Sequence, residues 1–263
     1  SQRKYYQEVT HSKLKSIFDY IYLGKNFGVF FCPIRIFSCK QNDICYNLIM
    51  MNARLNHLFS IPLMEFEYGQ ISDDENNIIN YYLNDLRPNV YNFTTRESYI
   101  LDKEKGLSNL KKFINSAIYS YVKSVIVGDE YDKDELNFKI TQSWANLTKG
   151  SSFGHHQHTH TNSIISGVFY IKTNDDDCVT FANDYLASTT IRAPVKVYNQ
   201  FNSDSWRFPV NAGKLLLFPS NLPHQVESVK GKEDRISLSF NVFPYGILGS
   251  RDELGELRIL EDK

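Results

Sequence analysis

The 263-residue sequence is short of cysteine, with four in all and no C-x-x-C pair among them. Cys32, Cys39 and Cys45 match no standard zinc-ligand spacing and Cys178 stands far from them, so reduced, buried thiols are expected rather than a disulfide framework or a zinc knot. Charge of either sign is not in surplus: 29 Lys and Arg face 30 Asp and Glu, for a net charge of −1. That balance removes the electrostatic case for nucleic acid or an anionic membrane surface, and no basic stripe with interleaved aromatics restores it. No apolar run approaches the roughly 18 residues of a membrane span, and no signal peptide opens the sequence. The expected setting is therefore cytoplasmic. Internal repeats and low-complexity tracts are absent too. What remains is an ordinary globular composition, 42% hydrophobic and 22% charged, long enough for one large domain or two small ones.

The chain changes character near Gly128. Before it, hydrophobic residues recur at helical spacing. Residues 10–24 carry Leu14, Ile17, Phe18 and Ile21 on one face, and a second helix is expected over 43–58. A third opens on the capping box Ser72-Asp-Asp-Glu75, with Pro88 just beyond its end. The clearest spans about 107–126, striped by Leu107, Leu110, Ile114, Ile118, Tyr121, Val122 and Val125. Between the first two, Phe27–Phe37 reads as an edge strand, since Pro33 is tolerated only there. After the charged linker Asp129–Glu135 the period becomes that of strands. Expected strands are Phe138–Leu147, Ser163–Lys172, Cys178–Ala182, Thr189–Tyr198, Ser205–Val210, Lys214–Phe218, His224–Val229 and Arg235–Phe243, separated by turn residues. Eight such strands without intervening helices predict an antiparallel sandwich or barrel. The fold class is α+β: a mainly helical buttress over 1–135, a β core over 136–248 and a charged tail over 249–263, packed together as one unit.

The stretch Gly154-His155-His156-Gln157-His158-Thr159-His160 concentrates four of the seven histidines. Imidazoles so placed need water or a metal ion, because an unsatisfied buried polar group costs about 1–3 kcal/mol. Two further residues stand in order downstream. His224 follows the apolar strand Leu215–Phe218, and Arg235 comes soon after it. In a jelly-roll barrel, histidines on an early and a late strand converge at one mouth, and imidazole is a ligand for iron, zinc, copper and nickel. If Ile236, Leu238 and Phe240 face the core, Arg235, Ser237 and Ser239 share the opposite face, where a guanidinium beside hydroxyls suits a carboxylate.

These residues resemble the Fe(II)/2-oxoglutarate-dependent oxygenases, whose signature is His-x-Asp/Glu, a distal His, and an Arg about ten residues later, often as Arg-x-Ser. The segments Ser143-Trp-Ala-Asn146, His158-Thr-His160-x-x-Ser163-x-x-Ser-Gly-Val-Phe-Tyr170, Gly213-Lys-Leu-Leu-Leu-Phe-Pro-Ser220 and Arg235-Ile-Ser-Leu-Ser-Phe-Asn241 look like those of an uncharacterised bacterial and phage subgroup. The resemblance covers about 138–243. It implies a double-stranded β-helix (jelly-roll) core, Fe(II), O2 and the co-substrate 2-oxoglutarate, with ascorbate as an optional accessory. It further implies His158 and His224 as iron ligands, Arg235 and Ser237 on the distal carboxylate of 2-oxoglutarate, and Tyr170 and Asn146 as further contacts to it. The sequence departs from the family at one point: no register of Gly154–His160 yields His-x-Asp or His-x-Glu. The ligand set is then His158, His160 and His224, or it recruits a carboxylate, for which Asp184 is the candidate.

The function expected from the resemblance is that of a dioxygenase, a hydroxylase coupling 2-oxoglutarate decarboxylation to oxidation of a substrate C–H bond in a small molecule or a protein side chain, with proline as the familiar example. Two other classes compete. A cupin-like three-histidine dioxygenase would keep the metal without 2-oxoglutarate and make Arg235 a structural ion-pair partner or a clamp for a substrate carboxylate. A non-enzymatic β-sandwich would simply hold metal on a histidine-rich loop. The turn Asp175-Asp-Asp177 and the loop Asn183–Ser188 read as solvated turns.

Overall fold

The computed structural model describes residues 60–129, 136–184 and 194–259; the elements below belong to the unit that begins at Ile61. The expected helices over 10–24 and 43–58, the strand Phe27–Phe37 and Cys32, Cys39 and Cys45 lie outside the described residues. In chain order the first elements are β1 (Met64–Glu67), α1 (Asp73–Tyr82), β2 (Leu86–Asn89) and β3 (Asn92–Thr95). A short helix α2 (Ile100–Lys103) precedes α3 (Ser108–Tyr121), which widens into a final π-turn over Val122–Val127. The strands that follow are β4 (Leu136–Thr148), β5 (His155–His158), β6 (Ile165–Lys172), β7 (Cys178–Ala182), β8 (Ser205–Pro209), β9 (Lys214–Pro219), β10 (His224–Val226), β11 (Arg235–Leu248) and β12 (Leu257–Ile259).

Local chemistry sets the helix starts. The Ser72 hydroxyl accepts from the Glu75 amide while the Glu75 carboxylate accepts from the Ser72 amide, a reciprocal cap on two otherwise orphaned donors. Asp73, Asp74 and Glu75 then set negative charge against the positive end of the α1 dipole. No helix of the described residues is long and apolar enough to cross a membrane.

The strands form two antiparallel sheets. The large one runs β1-β9-β6-β11-β4-β3-β2, with β12 paired to β11; the small one runs β5-β10-β7-β8. Strand alternation assigns the large sheet two different apolar faces. On β9, Leu215 and Leu217 join Ile79, Leu110, Ile114, Ile118 and Tyr121 in the core beneath the helices. Leu216 and Phe218 point the other way and meet Val179 and Phe181 of the small sheet. The order is thus helices, large sheet, small sheet, with each fully buried Leu or Ile contributing about 1.5–3 kcal/mol.

Three departures from the sequence expectation have physical causes. Residues 194–198, expected within a strand, are not in one. Pro194 has no N–H to donate to a ladder, and Val197 and Tyr198 are 77% and 69% exposed, so no face is buried. Strands β1, β2 and β3 add three elements to a region expected to be helical. Pro88, just beyond α1 as expected, lies in β2 at the end of the large sheet, where a missing donor is tolerated. The strand β5 arises from His-His-Gln-His, a sequence with little strand propensity, through pairing with β10.

Candidate metal centre and co-substrate pocket

Backbone pairing brings the histidines together. On β5 and β10, His158 and His224 are directly opposed, and His224 is opposed on its other side by Phe181 of β7. Gly154, which leads into β5, permits this approach: a Cβ there would sit 1.7 Å from the Val226 carbonyl oxygen. His160 lies just past β5, its amide bonded to the Ser220 carbonyl at 2.9 Å. One nitrogen from each of His158, His160 and His224 falls within 4.8 Å of the other two, and this is the metal-competent group found among the described residues.

Hydrogen bonds on the far side of each ring decide which nitrogen is free. His158 Nδ1 donates to the His156 carbonyl (2.8 Å) and His224 Nδ1 to the Leu222 carbonyl (2.9 Å). A carbonyl oxygen only accepts, so the proton is on Nδ1 and the lone pair on Nε2. His160 Nδ1 lies 2.6 Å from Asn241 Oδ1 and 3.0 Å from Ser166 Oγ, which gives the same tautomer. Three neutral imidazoles therefore direct Nε2 lone pairs inward, and the Nε2 atoms of His158 and His160 are 3.2 Å apart. Two lone pairs that close repel unless a cation lies between them. The spacing suits adjacent ligands that are each about 2.0–2.1 Å from one ion. The donor set fits a borderline divalent metal such as iron, nickel or zinc.

The polar residues of the sequence motifs brace these rings. Ser166 Oγ also lies 2.9 Å from Ser220 Oγ, which donates to Ser163 Oγ at 2.8 Å. Ser163 contacts the Ile165 and Val242 carbonyls in turn. Such partners fix ring orientation and tautomer. Asn241 was not foreseen in this role, although it closes the quoted segment Arg235–Asn241, and Ser166 sits inside the quoted histidine motif.

Asp184, the alternative carboxylate, is exposed and lies outside the three-imidazole group. The His155 ring packs against that of His158 at a tilt, with centroids 4.2 Å apart, and lies near Asn89. His156 is exposed.

Beside the imidazoles, a cavity is lined by Trp144, Asn146, Tyr170, Arg235, Ser237 and Ser239, among others. Strand register explains the set. Across β11, Ser237 is opposed by Asn146 on β4 and Tyr170 on β6, and Ser239 by Trp144 and Val168. Tyr170 is buried, with its pKa raised by loss of solvent. Asn146 donates from Nδ2 to Ser239 Oγ at 2.9 Å, leaving its Oδ1 buried without a partner; Asn92 Oδ1 on β3 is likewise unpartnered and lines the same cavity. Native interiors leave few such atoms. Two orphaned amides and a guanidinium in one cavity are a fit for a carboxylate-bearing ligand, with either amide able to turn over and donate.

Arg235 also has a protein partner. Its guanidinium, 3% exposed, donates to Asp177 Oδ1 at 3.2 Å and to the Glu227 carbonyl at 3.2 Å. Two of the five N–H donors are thereby used, leaving three. Asp177 is the residue sequence reasoning missed. Asp175 and Asp176 are exposed, as a solvated turn predicts, but Asp177 is buried and also accepts from the Asn174 amide at 2.8 Å.

Burial pushes the His224 imidazole down to about 3 and His155 down to about 4, with nearby imidazoles adding to the effect. His158 and His160 are lowered as well, again mainly by loss of solvent. In the unfolded chain such rings titrate near 6.5, so between about 6.5 and the folded values the unfolded state holds more protons. The stabilisation is complete above about pH 6.5 and is lost as pH falls toward the folded values. Chelator-treated protein is expected to melt at progressively lower temperature from pH 7 to pH 5 in thermal scans. A flat profile over that range would contradict neutral, buried imidazoles.

Residues 142–241 match the family described as "Putative 2OG-Fe(II) oxygenase". Over these residues the chain is similar to the 2OG-Fe(II) oxygenases. The match spans the strands that hold the imidazoles, Tyr170 and Arg235, and points to an oxygenase that uses iron and 2-oxoglutarate. No curated protein matches the chain. Among solved structures, a 2OG-Fe(II) oxygenase family oxidoreductase from Burkholderia pseudomallei is 12% identical, covering 64% of this chain and 75% of its own, with a TM-score of 0.44. A prolyl-4-hydroxylase from Pseudomonas putida is 14% identical over 69% of this chain and 93% of its own, at 0.45. HygX from Streptomyces hygroscopicus, with nickel and 2-oxoglutarate bound, is 10% identical over 71% and 85%, at 0.46. For this oxygenase the assignment rests on the sequence match and the residues beneath it.

Proposed function

We propose that this oxygenase is a hydroxylase acting on a C–H bond of a small molecule or a protein side chain, with its iron on His158, His160 and His224. The observation that carries the ligand set is the convergence of three Nε2 lone pairs, each fixed by a hydrogen bond on the far side of its ring. When bound, iron and 2-oxoglutarate supply O2-dependent oxidation of the substrate, with the co-substrate decarboxylated to succinate. The chain's own residues bind and orient. Arg235, with three donors to spare and Ser237 beside it, receives the distal carboxylate of 2-oxoglutarate. Tyr170 donates to its remaining oxygens, as do the Asn92 and Asn146 amides once turned over so that Nδ2 takes the place of the unpartnered Oδ1. The two facing sheets, with the site at the meeting of β5 and β10, support a double-stranded β-helix topology.

Three neutral imidazoles leave the metal its full double charge, where a carboxylate ligand would remove one unit. That favours an anionic co-substrate in the adjoining position. The test is anaerobic loading with Fe(II), followed by O2-dependent succinate release. Calorimetry of 2-oxoglutarate on the nickel-loaded protein runs alongside it. Arg235→Lys keeps a cation for Asp177 but loses the planar fork, and about a tenfold or greater loss of 2-oxoglutarate affinity is expected. Undiminished affinity in that variant would make Arg235 a structural partner of Asp177 only.

A further inference from the structure

Outside the inner cavity a second, more open cleft reaches two of the three metal-competent imidazoles, those of His158 and His160. The two share Trp144, His155, His158 and His160. One cavity thus approaches the metal-competent nitrogens from the Arg235 side, and the other approaches from the surface. The outer cleft is walled by the β2–β3 hairpin, and its lining includes Arg87, Asn89 and Thr94. The hairpin is held in place by the pairing of β3 with β4 and by contact of the Tyr91 and Phe153 rings, 5.8 Å apart. Its two-residue tip contains Val90 at a φ of 55°, a conformation that β-branched residues rarely adopt. Backbone strain of this kind persists where the surroundings impose it.

The charge in this cleft is one-sided. No aspartate, glutamate or lysine lines it, and the one charged residue that does is Arg87. Several cations elsewhere have mates: Arg96 pairs with Asp85, Arg207 with Glu227 and Lys149 with Asp234. Arg87 has none among the described residues. A guanidinium with all its donors unspent, at the wall of a cleft that reaches His158 and His160 of the metal-competent group, is a reading head for an anion. We infer that the substrate of this oxygenase bears a carboxylate, that it enters through the outer cleft, and that Arg87 holds the carboxylate while the carbon to be oxidised lies toward His158 and His160. The inference rests on the proposed oxygenase reading for what happens at the metal, but not for the recognition itself. Arg87 is a specificity-determining residue, distinct from Arg235, which serves the co-substrate.

The experiment uses the full chain loaded with nickel, with and without saturating 2-oxoglutarate. Probes are acid and amide pairs of equal shape. N-acetylglycine against N-acetylglycinamide presents a terminal carboxylate. N-acetylglutamate methylamide against N-acetylglutamine methylamide presents a side-chain one. Affinities are read by saturation-transfer NMR. About a tenfold preference for the acid in at least one pair is expected, and the pair that shows it tells whether a free acid or an acidic side chain is read. The preference should vanish in Arg87→Gln and persist in part in Arg87→Lys, with nickel binding measured in every sample to verify the fold. Equal binding of acid and amide, no binding of either acid, or a preference that survives Arg87→Gln would overturn the inference. Failure of 2-oxoglutarate to bind would overturn the oxygenase reading instead, and the acid–amide comparison on the nickel protein alone still reports on Arg87.

Discussion

Replacing His224 with alanine is expected to lower affinity for Ni(II) or anaerobic Fe(II) by about a hundredfold or more. Four-ligand structural zinc sites bind with about 10–16 kcal/mol, or about 3 kcal/mol per ligand, which corresponds to about a hundredfold. His224 should reach at least that value because its ring is the most thoroughly prepared of the three. It is 4% exposed, its Nδ1 proton is committed to the Leu222 carbonyl, and the Phe218 ring lies 4.7 Å away. A ring already neutral and oriented gives up little freedom on coordination, so removing it forfeits nearly the whole bond. Calorimetry on the purified variant gives the measurement. Near-native affinity in His224→Ala, together with a large loss in Asp184→Asn, would move the site to the carboxylate alternative.

The second large effect concerns stability. Asp177→Ala is expected to cost about 3–5 kcal/mol, because it strands the Arg235 guanidinium in the interior. The Asp177 and Arg235 side chains are 2% and 3% exposed, so water does not replace the missing partner. The pair itself contributes little net stability, since burying two charges consumes most of their attraction; the cost belongs to breaking it. Urea unfolding of Asp177→Ala, Arg235→Met and the double variant separates these quantities. The double variant should recover much of the loss seen in Asp177→Ala, and strictly additive losses would show that the two residues act independently.

Much of the β architecture was legible because burial imposes a period. Leu238 and Phe240 alternate with Ser237 and Ser239, while Leu215–Phe218 is an unbroken apolar run, and short runs of both kinds bounded by turns predict an antiparallel sandwich or barrel. The capping box at Ser72 and the stripe of α3 were legible for the same local reason. The four-residue strands β1, β2 and β3 were not, since their pairing depends on partners far along the chain, as Met64 opposite Leu217 illustrates. Strand β5 was hidden because histidine and glutamine carry no strand signal. At the site, residue types near a motif could be read, and Arg235, Tyr170, His158, His160 and His224, singled out in that way, line one cavity. Asp177 could not: three consecutive aspartates look alike in sequence, and only the turn that buries the third distinguishes it.

The placement of the imidazoles has a consequence for the chain as a polymer. His160 and His224 are 64 positions apart, and His158 on β5 is held opposite His224 only by pairing with β10, a strand of three residues. An ion held by all three is a cross-link that closes a long loop. Like a disulfide it would deprive the unfolded chain of entropy, but reversibly and in proportion to free metal. At a hundred times its dissociation constant such a ligand adds about 2.7 kcal/mol to stability. The catalytic ion and the clasp of the small sheet would then be one and the same, and starvation for metal would cost the cell folded enzyme as well as turnover.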